Sequence, residues 1–218
     1  MLFRKQNMAR ILNNQNKGKR TFLIYSLKMG YLLFGESYLE YWGIILLDLD
    51  RKIRRLTTQP FTIRYTLEGK FRNYTPDALV ELYDGTLLLI EFKYFAESQK
   101  EDKLEKHQRI NEIVMECGYS GLLTQTEHEI CLNPRLDNSI KLHRYGRGHC
   151  PNRDKILETK NIINNEIWTF AKLTNATKSI GIHYDSIMHL AAHNILQLDI
   201  NTLINPTSQI QWNPDYEL

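Results

Sequence analysis

The chain has 218 residues, of which 42% are apolar and 24% are charged, and its formal net charge is +3. This length and apolar content allow one or two domains with proper hydrophobic cores and exclude a disordered tail. Acidic and basic residues nearly balance, so the net charge alone does not indicate nucleic-acid binding.

The sequence has no targeting or membrane signal. No apolar run approaches the roughly 18 residues that a membrane span needs, and the N-terminus lacks the apolar block of a secretory signal. Three widely spaced cysteines, Cys117, Cys131 and Cys150, are predicted to be free thiols in a reducing compartment. We therefore expect a soluble, cytoplasmic protein of bacterial type.

The N-terminal segment 1–35 is a basic arm. It contains no Asp or Glu, and its basic residues are Arg4, Lys5, Arg10, Lys17, Lys19, Arg20 and Lys28. Such an arm would suit a DNA phosphate backbone. A solvated and frayed N-terminus is an equally good interpretation of the same residues.

The first predicted elements follow this arm. Thr21–Ser26 is apolar and β-favouring and precedes a turn-like stretch, which predicts a short strand or hairpin. Between Glu36 and Leu49 apolar residues recur every three or four positions, which predicts a helix that carries Glu40 beside its apolar stripe. The stripe consists of Tyr38, Leu39, Trp42, Ile45 and Leu46.

The middle of the chain predicts a mixed sheet. Residues 48–55 are predicted to be a polar connection and Phe61–Tyr65 a strand. Within residues 74–93, two apolar runs flank an Asp-Gly pair, a strong signal for a β-hairpin. A charged amphipathic helix over Ser98–Cys117 and a strand over Gly121–Gln125 complete an α/β fold with a helical crossover.

The last part of the sequence predicts a small second domain. Helices over Leu157–Phe170 and Ile182–Ile195 precede a two-stranded ribbon within Leu198–Trp212, which is the order of a winged-helix unit. We place the domain boundary so that 1–148 forms the first domain and 149–218 the second. The second of these helices has few basic residues, so protein contact is favoured over DNA reading.

One strand pair concentrates the residues that suit chemistry. Alternate side chains of a strand share a face, so Glu91 and Lys93 point the same way and Phe92 points to the opposite layer. Asp77 follows a proline on the partner strand and would lie close to Glu91. These carboxylates, with the carbonyl of Phe92, suit a hard cation such as Mg²⁺, and Mn²⁺ would substitute.

This set predicts phosphodiester hydrolysis. A bound cation would polarise the phosphate and acidify a water, while Lys93 would orient that water or offset developing charge. Glu40, projected from the preceding helix, would add a ligand for a metal or a metal-bound water. Glu36 lies one helical turn earlier and is the alternative, but Glu40 fits the Ser-x-x-Glu spacing. An ordinary ion pair of Lys93 with its acidic neighbours is the competing interpretation, and it predicts no metal.

The motifs resemble those of the TnsA family, the endonuclease subunits of heteromeric transposases with the PD-(D/E)xK site. The similar segments are Ile24–Gly30, Glu36–Glu40, Gln59–Pro60, Tyr74–Asp77, Glu91–Lys93, Thr126–Ile130 and Asn133–Pro134. The resemblance implies a restriction-endonuclease-like fold with Glu40, Asp77, Glu91 and Lys93 at the active site. It also implies cleavage of the 5′ strands at transposon ends, beside an integrase-type transposase and an ATP-dependent regulator that binds the C-terminal domain.

Two other functions remain open from the sequence. A restriction endonuclease or junction resolvase would use the same scaffold. A catalytically idle DNA-binding or assembly module is the alternative from another class, and the four intact polar positions argue against it. His143, His149 and Cys150 lack the paired spacing of a tetrahedral zinc site, so we expect no zinc.

Overall fold

A computed structural model describes residues 21–217 of the chain. The described residues divide into two compact units, with the division between Leu132 and Asn133. Most of the predicted basic arm lies outside the described residues, namely Arg4, Lys5, Arg10, Lys17, Lys19 and Arg20. Among residues 21–217, no helix is both long and apolar enough to cross a bilayer.

The first unit combines three hairpins with helices. Its elements are β1 (Phe22–Tyr25), β2 (Leu32–Gly35), α1 (Tyr38–Leu49), β3 (Ile53–Thr58), β4 (Ile63–Leu67), β5 (Lys70–Tyr74), β6 (Ala78–Leu82), β7 (Leu87–Phe92), α2 (Phe95–Ser98), α3 (Glu101–Glu116), β8 (Leu122–Gln125) and α4 (Glu127–Ile130).

A four-stranded sheet of order β3-β6-β7-β8 forms the centre of this unit. The first three strands are antiparallel, and β8 runs parallel to β7 after the α3 crossover. The face that carries Leu89 packs on Ile110 and Val114 of α3. Phe92 on the opposite face meets α1 at Gly43. The predicted mixed α/β class with helices beside the sheet is confirmed.

Strand β3 corrects the predicted connection at 48–55. Ile53 and Leu56 are fully buried, while Arg54 and Arg55 stay exposed and pair with Glu81 of the neighbouring strand. Because Arg54 and Arg55 are adjacent, the sequence does not show the alternation of apolar and polar residues that predicts a strand. Cross-strand pairing with the Glu81 carboxylate stabilises these arginines at the edge of the sheet.

Helix α1 begins one residue after its cap. The Ser37 hydroxyl accepts a hydrogen bond from the backbone N–H of Glu40, so the helix starts at Tyr38 rather than at Glu36. The predicted stripe is partly wrong, because Tyr38 is 47% exposed whereas Ile44 is buried. The helix buries Leu39, Gly43, Ile44, Ile45, Leu47 and Asp48, and its aromatic residues are only partly buried or exposed.

The hairpins agree with the turn residues in the sequence. β1 pairs with β2, and β6 pairs with β7 through the predicted Asp84-Gly85 turn, where Gly85 has φ 88°. That left-handed backbone suits glycine because it has no Cβ to clash. β4 and β5 form a separate two-stranded sheet.

The second unit is a helical cluster closed by a small sheet. Its elements are α5 (Arg135–Gly146), α6 (Arg153–Ile163), β9 (Trp168–Thr169), α7 (Phe170–Ala176), a 3₁₀ turn (Lys178–Ile180), α8 (Tyr184–Ala192), β10 (Leu196–Leu198) and β11 (Gln209–Trp212). The sheet order is β10-β11-β9. The predicted helix over 157–170 is shifted, since α6 ends at Ile163 and its C-cap Asn164 is left-handed.

Helix α5 belongs to the second unit, so the units divide earlier than the predicted boundary after residue 148. The Asn138 amide donates to the carbonyls of Ile200 and Thr202 at 2.9 and 2.7 Å. His193 Nε2 lies 2.9 Å from the carbonyl oxygen of Gly146. These bonds tie both ends of α5 to residues near the C-terminus.

Candidate active site

The predicted site lies where β6 begins and β7 ends. Ala78 pairs with Ile90, and continuing that antiparallel register places Asp77 opposite Glu91 on one face. The Asp77 N–H donates to the Ile90 carbonyl at 3.0 Å, and its Oδ2 accepts from the Phe92 N–H at 2.7 Å. The backbone of β7 therefore fixes the Asp77 carboxylate beside Glu91.

Glu91 is held from two sides. Lys93 Nζ lies 3.4 Å from Oε1, and the Tyr74 hydroxyl donates a hydrogen bond to Oε2. The exposed fractions of the Lys93 and Glu91 side chains are 24% and 15%, so the pair is shielded yet open at one edge. Lys93 itself is anchored by a hydrogen bond from its N–H to the Gln125 carbonyl at 3.1 Å.

Glu40 reaches the site from α1. Its Oε2 accepts from the Glu36 N–H at 2.7 Å, and its Oε1 accepts from the Ser37 hydroxyl at 2.9 Å. This is close to the capping-box arrangement, and it holds the carboxylate over the first turn. The alternative residue, Glu36, accepts a long hydrogen bond of 3.4 Å from the Gln59 amide.

Two glycines allow close packing of α1, Gly43 against β7 of the central sheet and Gly35 of β2 against the helix. A Cβ at Gly43 would lie 2.2 Å from the Phe92 ring, and a Cβ at Gly35 would lie 3.0 Å from Cβ of Glu40. Gly43 lies one turn after Glu40 on the helix. Because no side chain separates Gly43 from Phe92, the helix brings Glu40 toward the strand ends.

The three carboxyl groups interact strongly. Burial and then the negative charges of Glu91 and Glu40 raise the pKa of Asp77 to about 8, despite its hydrogen bond from Phe92. Burial likewise raises the pKa of Glu40, and the charges of Glu36 and Glu91 add to this effect. Burial of the carboxyl groups, strengthened by the repulsion between them, is therefore the main electrostatic feature of this site.

The donor atoms of these residues are of the type that binds a hard divalent cation, although their present arrangement is not that of a metal site. Carboxylate oxygens are what Mg²⁺ and Mn²⁺ take from proteins, and a cation would relieve the repulsion that raises the pKa of Asp77. In residues 21–217 as they stand, no group of three His, Cys, Asp or Glu side chains is arranged around a common metal position. Each carboxylate instead accepts hydrogen bonds from groups of the protein. A bound metal would have to replace some of these hydrogen bonds.

An open cleft adjoins Glu91 and Lys93. Its volume is about 490 Å³. Side chains at its wall include Tyr74, Lys106 and His107. The Lys106 ammonium lies 4.3 Å from the centre of the Tyr74 ring. The cleft thus offers apolar surface together with cationic groups next to the carboxylates.

Some contributors to the site were missed by the sequence interpretation. Tyr74 appeared only as part of a motif, although its hydroxyl fixes Glu91. Gln59 adopts φ 43° and donates its N–H to the Asp77 carbonyl at 2.9 Å. A glycine inside a helical pattern signals close packing, so Gly43 could have been identified. Lys106 carried no such signal.

Lys28 is the one member of the predicted basic arm that falls within residues 21–217. Its ammonium donates to the Asp50 carbonyl at 3.1 Å, and burial lowers its pKa. The adjoining turn is held by Asp48, whose carboxylate accepts from the N–H of Leu27 at 2.7 Å. Lys28 therefore stabilises the end of α1, and its contact with DNA stays a prediction.

Comparison with protein-family models and with curated proteins gave no match for this chain.

Proposed function

We propose that the chain is a divalent-metal-dependent DNA endonuclease with Glu40, Asp77, Glu91 and Lys93 at its active site. The observation that carries this proposal is the placement of Asp77 opposite Glu91 at the ends of β6 and β7, with Lys93 Nζ 3.4 Å from Glu91 and with Glu40 of α1 near enough for its charge to raise the pKa of Asp77. Stability alone does not require such a cluster, because burying like charges together is unfavourable.

The protein's own residues would have separate roles in hydrolysis. Asp77, Glu91 and Glu40 would hold Mg²⁺ or Mn²⁺, and the Phe92 carbonyl is a further predicted ligand. The bound cation supplies a Lewis acid for the phosphate and an acidified water. Lys93 would orient the attacking water or offset charge on the phosphate oxygens. Tyr74 would keep Glu91 in position.

The resemblance of the motifs extends this proposal to a restriction-endonuclease-like nuclease that cleaves 5′ strands at transposon ends. The order α6, β9, α7, α8, β10, β11 of the second unit supports the winged-helix prediction. In this proposal the second unit contacts an ATP-dependent regulator, and an integrase-type transposase cuts the other strand.

Metal binding and strand nicking test the proposal at two levels. Titration calorimetry with Mn²⁺ should show binding to the wild type and a large loss in Asp77→Ala. Labelled duplexes carrying the element's ends, incubated with the partner transposase, should be nicked on the 5′ strand with Mg²⁺ but not with EDTA. Identical products from wild type and Asp77→Ala would refute the assignment.

Asp84→Ala is the matched control for these assays. Asp84 lies in the exposed turn between β6 and β7, on the hairpin that carries the site. This variant should bind Mn²⁺ and nick DNA like the wild type. Equal losses in both variants would attribute the effect to general damage of the hairpin.

A further inference from the structure

The β4–β5 ribbon has two chemically different faces. Its register places Arg64 opposite Asn73 and Thr66 opposite Phe71. Directly paired residues share a face, so these four side chains form one surface, which we call the outer face. All four are exposed. The other face carries Tyr65 and Tyr74, which are buried in the core beneath the ribbon.

The outer face has the composition of a nucleic-acid reader. Phe71 is 74% exposed, and the Arg64 guanidinium lies 4.6 Å from the centre of its ring. Stacking on a ring pre-orders the guanidinium and leaves its N–H donors available. Arg and Asn are the side chains that make bidentate hydrogen bonds with guanine and adenine edges. None of the four residues is acidic.

The charge around this face also suits DNA. By the register Lys70 and Arg72 belong to the face of Tyr65 and Tyr74, but both side chains are exposed beside the ribbon's turn, and Glu68 pairs with Arg72 at 3.1 Å. The ribbon therefore presents a net positive surface toward solvent. The major groove of DNA is about 12 Å wide and admits a two-stranded ribbon.

The ribbon is continuous with the candidate active site. Tyr74, the last residue of β5, donates its hydrogen bond to Glu91. Arg64 and Asn73 adjoin Ile63 and Tyr74 in the register, so this pair lies at the end of the ribbon nearest the site, on the face opposite Tyr74. DNA with its phosphate at Glu91 would pass within reach of Arg64 and Asn73.

We propose that the outer face of the β4–β5 ribbon enters the major groove beside the cleavage position and reads its base pairs. Arg64 and Asn73 are then specificity-determining residues, and Phe71 orders Arg64. This inference rests on the proposed endonuclease function, because it assumes duplex DNA at Glu91.

Selection from a duplex pool with a randomised central segment tests the proposal with the full chain. Binding is selected in Ca²⁺, and cleavage of the same pool is then measured in Mn²⁺. The wild type should enrich a sequence motif. Arg64→Ala should lower the preference for that motif over unselected duplex on the order of tenfold, at one or two base pairs. Asn73→Ala should relax a neighbouring position.

Tyr83→Ala is the matched control, since Tyr83 is 71% exposed on the β6–β7 turn and lies off the ribbon. It should leave the motif unchanged. Uniform weakening by Arg64→Ala across all sequences would make Arg64 a phosphate contact and overturn the proposal, as would an unchanged motif. A wild type that cleaves the pool without enriching a motif also overturns it, and leaves the endonuclease function standing. Absence of binding by the chain alone also overturns the proposal, and the nicking assay with the partner transposase then decides separately whether the endonuclease function stands.

Discussion

Asp77 shows how one residue can favour function over stability. Its usual pKa is 3.8, and in the folded protein burial with the charges of Glu91 and Glu40 raises the pKa to about 8. Between these values the folded state binds a proton that the unfolded state has released. The free energy of unfolding should therefore fall as pH rises through this range in metal-free buffer.

Asp77→Asn should remove this pH dependence. In EDTA we expect the variant to exceed the wild type in stability at pH 8, by a few kcal/mol as an order of magnitude, and to lose that advantage toward pH 4. Urea unfolding across this pH range measures the difference. Mg²⁺ should stabilise the wild type but not the variant, because the cation replaces the proton.

Asp84→Asn is the control, because the Asp84 carboxylate is fully exposed and its hydrogen bonds with Thr86 lower its pKa. The Asp84 carboxyl should therefore not contribute to the fall in the free energy of unfolding with rising pH, so Asp84→Asn should keep the pH dependence of the wild type. An Asp77→Asn curve parallel to that of the wild type would show that the pKa of Asp77 is the same in the folded and the unfolded protein.

Tyr74→Phe tests the support of Glu91. The hydroxyl donates to Oε2 of Glu91, so its removal leaves the carboxylate with Lys93 alone on the other oxygen. Loss of such a supporting partner typically weakens metal affinity by about 10–100-fold. Calorimetric titration with Mn²⁺ measures this loss. Tyr119→Phe, on a ring that contacts Phe61 elsewhere in the same core, should leave the affinity unchanged.

Helix α1 is positioned by the absence of a side chain. Glycine to alanine within a helix normally stabilises by about 1 kcal/mol. At Gly43 the added Cβ would lie 2.2 Å from the Phe92 ring, so the helix must move. We expect Gly43→Ala to destabilise the protein by about 1–3 kcal/mol and to weaken Mn²⁺ binding through displacement of Glu40.

A double variant separates packing from helix propensity. Adding Phe92→Leu makes room for the new methyl group, so it should restore part of the stability lost in Gly43→Ala. Urea unfolding of the four proteins gives the interaction free energy. A Gly43→Ala protein more stable than the wild type would contradict the close contact between α1 and β7.

Elements were predictable from the sequence where local chemistry decides them. The Asp84-Gly85 turn fixed the β6–β7 hairpin, and the placement of Glu91 and Lys93 on one face followed from strand periodicity. Strand β3 was missed because its exposed arginines are stabilised by Glu81, a partner 26 positions away. Long-range pairing of this kind leaves no local pattern. The same holds for Lys106 and its contact with Tyr74.

At the scale of the whole molecule, α5 belongs to the second unit, so the first unit should fold without it. Glu40, Asp77, Glu91 and Lys93 all lie in Met1–Leu132, with the hydrogen-bond partners that hold them. A fragment of residues 1–132 should therefore unfold cooperatively and bind Mn²⁺ as the full chain does. Urea unfolding and calorimetry of the fragment measure both properties.

A fragment ending at residue 148 should behave worse, although it is longer. It retains α5 but removes α8 and the chain around Ile200, to which α5 is hydrogen-bonded. Leu136 and Leu142, which are 7% and 4% exposed, would lose their cover and present apolar surface to water. We expect this fragment to self-associate in sedimentation experiments while the 1–132 fragment stays monomeric. The reverse order would place α5 with the nuclease unit and restore the boundary predicted from the sequence.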